Sequence, residues 1–164
     1  MTAVRPSAAR IAEIWRGAGF SAEATRTLAG IAREYESAAA RYLLREGEHT
    51  AELSLLASGR AAISEHVHGR GPVTVMTVEP GDVFGWSAVV DPYRAVSNVL
   101  TIESVAVIAF DAESLLAAMR ADRELAATVH EQVLRALSTR LVATRHQLLD
   151  LYASDWPEAA RDPE

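Results

Sequence analysis

Cysteine and lysine are both absent from the 164 residues. Without cysteine there are no disulfides, thiolate nucleophiles, iron–sulfur clusters or thiolate zinc sites. All 16 basic residues are arginine, so a P-loop lysine and a Schiff-base lysine are excluded as well. No apolar run approaches the roughly 18 residues of a membrane span, and the N-terminus lacks an apolar run of signal length. A cytoplasmic protein without membrane contact is expected. The balance of 16 basic against 22 acidic residues gives a net charge of -6, which offers no broad attraction to phosphate backbones or anionic lipid. What is present is ordinary for a globular chain: 49% hydrophobic and 23% charged residues, enough for one domain with its own core.

Three textures follow one another. Residues 8–18 and 21–37 carry apolar residues at helical spacing, Ile11, Ile14 and Trp15 on one stripe and Leu28, Ile31 and Tyr35 on the next. Gly17 and Gly19 separate them, and Ser21 with Glu23 reads as an N-cap with its helix-dipole complement. From residue 41 to 111 short strand-length runs alternate with turn signals at Glu46-Gly47-Glu48, Ser58-Gly59, Gly69-Arg70-Gly71-Pro72, Pro80-Gly81-Asp82 and Asp91-Pro92. The runs Tyr42–Leu44, Glu52–Ala57, Arg60–Ser64, Val73–Val78 and Ser97–Phe110 predict a sandwich or barrel rather than alternating βαβ units. A mainly β fold of the double-stranded β-helix, or jelly-roll, type with flanking helices is therefore expected.

Asp111 is placed to cap a short helix over Ala112–Ala121, and Arg123–Tyr152 reads as a long helix. Leu134, Leu137, Leu141, Thr144, Leu148 and Leu151 are spaced 3-4-3-4-3, the seam of a coiled coil. They predict a parallel homodimer, the alternative being that this stripe packs on the chain's own strands. A second stripe, Leu125, Val129, Val133 and Ala136, is available for that inner face. The domain expected is thus 1–152, with helices over 1–40, the β-roll over 41–111, helices over 112–152 and a polar tail over 153–164.

In this order, the elements resemble the effector domain of cyclic-nucleotide-binding proteins, including Crp/Fnr-type bacterial regulators, from about Phe20 to Tyr152. Arg45-Glu46-Gly47-Glu48 is similar to the family's early turn, Leu55–Ile63 to its central hairpin bending at Gly59, and Pro80–Gly85 to the approach to its phosphate-binding cassette. The resemblance implies that Gly85-Trp86-Ser87-Ala88 begins the cassette helix, and that Arg94-Ala95 supplies the phosphate-facing arginine and its small neighbour. Backbone donors and a guanidinium suit a phosphate diester. The plainer reading of Arg94 is a surface arginine on a turn. Where the family has a glutamate accepting from the ribose hydroxyl, this chain has Trp86, a donor-only indole. The loop to Arg94 is also about one residue shorter than the family's common form. Trp86 and Tyr93 are left either to stack on a ring or to fill the pocket, and Thr144 is, by resemblance, the long helix's candidate contribution to the ligand, its plainer reading being a tolerated polar residue in the coiled-coil stripe.

The function expected is non-catalytic ligand sensing through a degenerate cassette that does not take cyclic AMP in the usual way, with a small anionic or nucleotide-like ligand and no cofactor. The alternative is a dimerisation or protein-interaction module that has kept the scaffold and lost the ligand, with an unidentified protein partner. A cupin-like metal enzyme is suggested by His66-Val67-His68, but no glutamate follows at cupin spacing, and His49, His130 and His146 are far away in sequence. No Gly-x-Ser-x-Gly elbow occurs. The reader domain that follows this helix in regulators does not fit in the last twelve residues, so DNA binding is not expected.

Overall fold

The computed structural model describes residues 3–67, 69 and 71–154. Two short helices come first, α1 (Ala8–Ile14) and α2 (Ala22–Ile31). Each is started by a serine: Ser7 Oγ accepts the Arg10 N–H and Ser21 Oγ the Ala24 N–H, both at 3.1 Å. Gly17 and Gly19, at φ of 82° and 84°, carry the turn between them.

Among the described residues eight strands follow: β1 (Ala32–Ser37), β2 (Tyr42–Leu44), β3 (Glu52–Ser58), β4 (Ala61–Val67), β5 (Gly71–Val78), β6 (Val83–Phe84), β7 (Asn98–Thr101) and β8 (Val105–Asp111). They form two four-stranded sheets, β1-β8-β3-β6 and β2-β7-β4-β5, every pair antiparallel. The jelly-roll class expected from the turn spacing is the class observed.

Alternation along the strands sorts side chains into two cores. Val105, Val107 and Ala109 of β8 join Leu56, Ile63, Val78 and Phe84 inside the roll. Ile108 and Phe110 of the same strand face the other way and pack with Leu53 and Leu55 against Ile11, Trp15 and Leu28. The first sheet is therefore buried on both faces. Trp15 anchors the outer core, with Phe20 at 4.8 Å and Phe110 stacked at 5.6 Å between ring centroids.

The roll begins earlier than residue 41. The expected helix over residues 21–37 stops at Ile31, and residues 32–37 are β1, in register with β8 from Ala32↔Phe110 to Ser37↔Val105. Ala32 and Tyr35 are the buried members of this strand, a spacing of three that mimics a helical stripe. The outer edge of β1 is partly covered: Val4 and Glu34 exchange backbone hydrogen bonds at 2.9 and 2.7 Å, and Arg10 reaches Glu34 at 3.3 Å. The run Ser97–Phe110 is likewise two strands, β7 and β8, parted by a bend over residues 102–104.

Asp111 caps α3 (Ala112–Ala121), and Asp122 Oδ1 accepts the N–H groups of Glu124 and Leu125 at the start of α4 (Arg123–Ser154). Leu125, Val129 and Val133 bury the inner face of α4, as their spacing predicts. Two glutamines fasten it: Gln132 Nε2 donates to Ala18 O at 3.0 Å and Gln147 Nε2 to Val75 O at 2.6 Å. The helix runs two residues past the expected end, and residues 155–164 of the expected tail lie outside the described residues. No helix among the described residues is long and apolar enough to cross a membrane.

Candidate functional site

The short strand β6 pairs with β3 through Leu55↔Val83 and Ser54↔Phe84, delivering the chain to Gly85. Gly85 has φ of 71°, and a Cβ there would stand 2.7 Å from Glu52 O, so both backbone conformation and space require glycine. A 3-10 helix, Trp86–Ala88, follows directly, with Ser87 and Ala88 buried. Trp86 is partly buried and packs against the helical core rather than inside the roll.

The return of the loop is tied to the Arg45–Glu48 turn. Tyr93, at φ of 58°, accepts the Thr50 N–H through its carbonyl at 2.8 Å, and the Asp91–Pro92 peptide before it is cis. Ala95 is buried and exchanges backbone bonds with the turn, donating to Glu48 O at 2.9 Å and accepting from Gly47 N at 2.8 Å. Arg94 is exposed, and its Nη1 donates to Gly47 O at 2.8 Å. The fold thus brings the two halves of the expected cassette, Gly85–Ala88 and Tyr93–Ala95, onto one scaffold. Between them and β3 lies Thr50, fully buried, whose Oγ1 has no hydrogen-bond partner among the described residues and whose Cγ2 would be 3.7 Å from a Cβ on Gly85. Sequence reasoning missed Thr50, because a lone threonine beside a turn carries no spacing signal.

A cavity of about 210 Å³ lies elsewhere, between α4 and strands β4–β6. Ile63, Met76 and Val78 give it an apolar wall, Trp15 closes one side, and α4 contributes Gln132, Arg135, Thr139 and Arg140. None of Gly85, Trp86, Ser87, Ala88, Tyr93, Arg94 or Ala95 lines it. Thr144 does not line it either: it is exposed one turn beyond Arg140, and its hydroxyl donates to the Arg140 carbonyl at 2.9 Å. Burial pushes the Arg140 guanidinium below its ordinary value, opposed by the attraction of Glu65.

The expected leucine seam divides. Leu134, Leu141 and Leu148 are 62%, 71% and 52% exposed, whereas Leu137 is half-buried against the helical core. Val142 and Leu149 extend the exposed stripe, and the side chain of Leu151 lies outside the described residues. His66 sits on β4 opposite Pro72, and His68 is outside the described residues. Among the described residues no three His, Cys, Asp or Glu side chains gather as a metal site would require.

The profile of the cyclic nucleotide-binding domain family matches residues 35–122, from β1 to the residue that follows α3. The chain is 31% identical over 112 residues to the CRP-like cAMP-activated global transcriptional regulator of Mycobacterium tuberculosis, a match covering 68% of this chain and 48% of that protein. It spans about half the length of the curated relatives it matches. Among solved structures, a cyclic nucleotide-binding domain from Methylobacillus flagellatus KT superposes with a TM-score of 0.80 at 18% identity, covering 91% of this chain and 88% of the other. A cyclic nucleotide-binding protein from Geobacter metallireducens GS-15 gives 0.73 at 23% identity, covering 83% and 98%. The last two show the shared fold, and together with the profile match and the glycine turn into a buried 3-10 helix they place the chain: it belongs to the cyclic nucleotide-binding domain family.

Proposed function

We propose that residues 1–152 form one non-catalytic, ligand-sensing regulatory domain whose altered cassette does not hold cyclic AMP in the way usual for the family. The observation that carries this is Trp86. The residue after Gly85 is a donor-only indole packed on the helical core, so no acceptor stands there for a ribose hydroxyl. Gly85, the buried Ser87 and Ala88, and Arg94 with Ala95 remain available to an anion, with Tyr93 exposed at the rim. Arg94 reaches that role by exchanging its bond to Gly47 O for a ligand oxygen. Regulation rather than catalysis accords with the relatives, which are regulators, and with the absence of lysine and cysteine.

The domain acts as a parallel homodimer through Leu134, Leu141 and Leu148 of α4, with Leu137 and Thr144 at the margin of the seam. Its place of work is the cytoplasm, it requires no cofactor, and the net charge of -6 disfavours a DNA partner. A second reading, a dimerisation module without ligand, is favoured by that same exposed stripe.

Calorimetry with cyclic mononucleotides, cyclic dinucleotides and simple anions separates the two. Losing the hydroxyl's acceptor costs about 1–3 kcal/mol, or roughly one to two decades in affinity. Wild type should therefore bind cyclic AMP weakly, Trp86→Glu about tenfold or more tightly, and Arg94→Ala less than either. Tight cyclic AMP binding by wild type would defeat the proposal, and silence from every ligand and variant would leave the dimerisation module.

A further inference from the structure

Strand β1 is the margin of its sheet, paired along its length with β8 on one side only. Glu34 exchanges both of its backbone bonds with Val4, so the even-numbered residues of β1 turn their N–H and C=O groups outward and the odd-numbered ones face β8. The cover over those outward groups is slight. Residues 3–5 form a strap whose side chains are all exposed, Val4 at 56%, and the two backbone bonds to Glu34 are its whole pairing with β1 among the described residues. Pro6, with no N–H to give, cannot extend that pairing toward Ala32.

The two faces of this margin differ. On one, Glu34 is matched by Arg10 at 3.3 Å, whereas Glu36 is exposed and has no ion pair among the described residues. On the other, Arg33 is neutralised by Glu52 at 2.6 Å and lies 4.8 Å over the Tyr35 ring, beside an open groove of about 510 Å³ whose walls include Tyr35, Tyr42 and Leu43. A strand laid antiparallel on β1 carries its side chains on the same face as the residues they oppose. Those opposite Glu34 and Glu36 meet carboxylates, and those opposite Arg33 and Tyr35 enter the groove. We propose that the outer edge of β1 is a docking site for an extended segment of another protein with alternating basic and apolar side chains, which takes the place of the strap and adds a strand to the sheet. Backbone bonds at Glu34 and Glu36 supply the pairing, Glu36 selects the basic side chain, and the groove at Tyr35, Tyr42 and Leu43 selects the apolar one. The site is independent of the cassette.

The test follows the fluorescence anisotropy of a fluorescein-labelled Lys-Phe-Lys-Phe-Lys peptide titrated with the full chain at constant ionic strength. Wild type should bind it saturably. Val4→Pro, which costs the strap one of its two bonds, should bind roughly threefold or more tightly, and Glu36→Arg roughly tenfold or more weakly. Methylating the backbone nitrogens of the lysines keeps every charge and removes the donors to β1, so that this peptide should bind wild type roughly tenfold or more weakly as well. Glu36→Pro should match that loss, since the missing N–H points away from β8. If Glu36→Pro fails to fold, the methylated peptide on wild type decides the same point. Absence of saturable binding to wild type overturns the proposal. Undiminished binding of the methylated peptide would reduce the contact to charge attraction, and undiminished binding to Glu36→Arg would move it off β1. Either result overturns the proposal, as does binding to Val4→Pro that is no tighter than to wild type.

Discussion

Asp111 ends β8 and starts α3, so one carboxylate serves the junction between the roll and the C-terminal helices. Its Oδ1 accepts the Ser114 N–H at 2.8 Å. Hydrogen bonds from the Ser114 side chain, and secondarily from its backbone, hold the carboxyl below the ordinary value of 3.8. A group whose pKa falls on folding stabilises the fold above its unfolded pKa and loses that contribution as pH drops through the folded one. Replacing Asp111 with Ala should cost about 1 kcal/mol at neutral pH. The gap between the two proteins in urea unfolding should then close as pH falls below about 4. A gap unchanged at pH 3 would mean that the cap works without its charge. Caps of this kind are legible in sequence because donor and acceptor lie three residues apart. Arg140 and Thr50 are not, since what defines them is a buried polar atom without a partner among the described residues, in a space assembled from residues distant along the chain. Arg140 is further obscured by Leu141, the adjoining member of the leucine stripe.

Among the elements, those bounded by glycine or a capping side chain were readable: α3 matches its expected limits, β2, β3 and β5 are found within two residues of theirs, and β4 runs three residues past its expected end at Ser64. Those lacking such marks were not. Strand β1 follows α2 with no breaker between, and its buried Ala32 and Tyr35 continue the helical spacing of Leu28 and Ile31. The bend between β7 and β8 contains Ile102, Glu103 and Ser104, none a usual turn former. The Ser104 carbonyl lies against Gly59, so this bend is shaped by the hairpin it packs on rather than by its own sequence. Strand β6, at two residues, is too short to show any period. Helix α4 shows two faces, and its outer one is the testable surface. Leu134, Leu141, Val142, Leu148 and Leu149 are all at least 52% exposed, a larger contiguous apolar stripe than single surface residues explain. Leu141→Glu puts a charge at its centre and should halve the mass seen by light scattering while leaving the circular dichroism spectrum unchanged. An unaltered mass would mean that the stripe does not join two chains.

Across the whole molecule, the first sheet is the part held from both sides, by the roll core on one face and by α1, α2 and α4 on the other. Gln132 and Gln147 fix α4 to the α1–α2 turn and to β5, so the helix is tied at two points fifteen residues apart. Movement of the helix must break one of those bonds or carry the attached segment along. The strand at the margin of this sheet has one more consequence. Beyond its pairing with β8, β1 offers its free side to whatever passes, and Val4 occupies part of that side by bonding to Glu34 in both directions. Such an unpaired margin is a template for strands from other molecules. Removing residues 1–6 should therefore leave the roll folded yet prone to sheet-to-sheet aggregation, seen as turbidity that rises with concentration where the full chain stays clear. Clear solutions of the shortened chain would show that Arg33, Glu34 and Glu36 keep other strands away by charge alone.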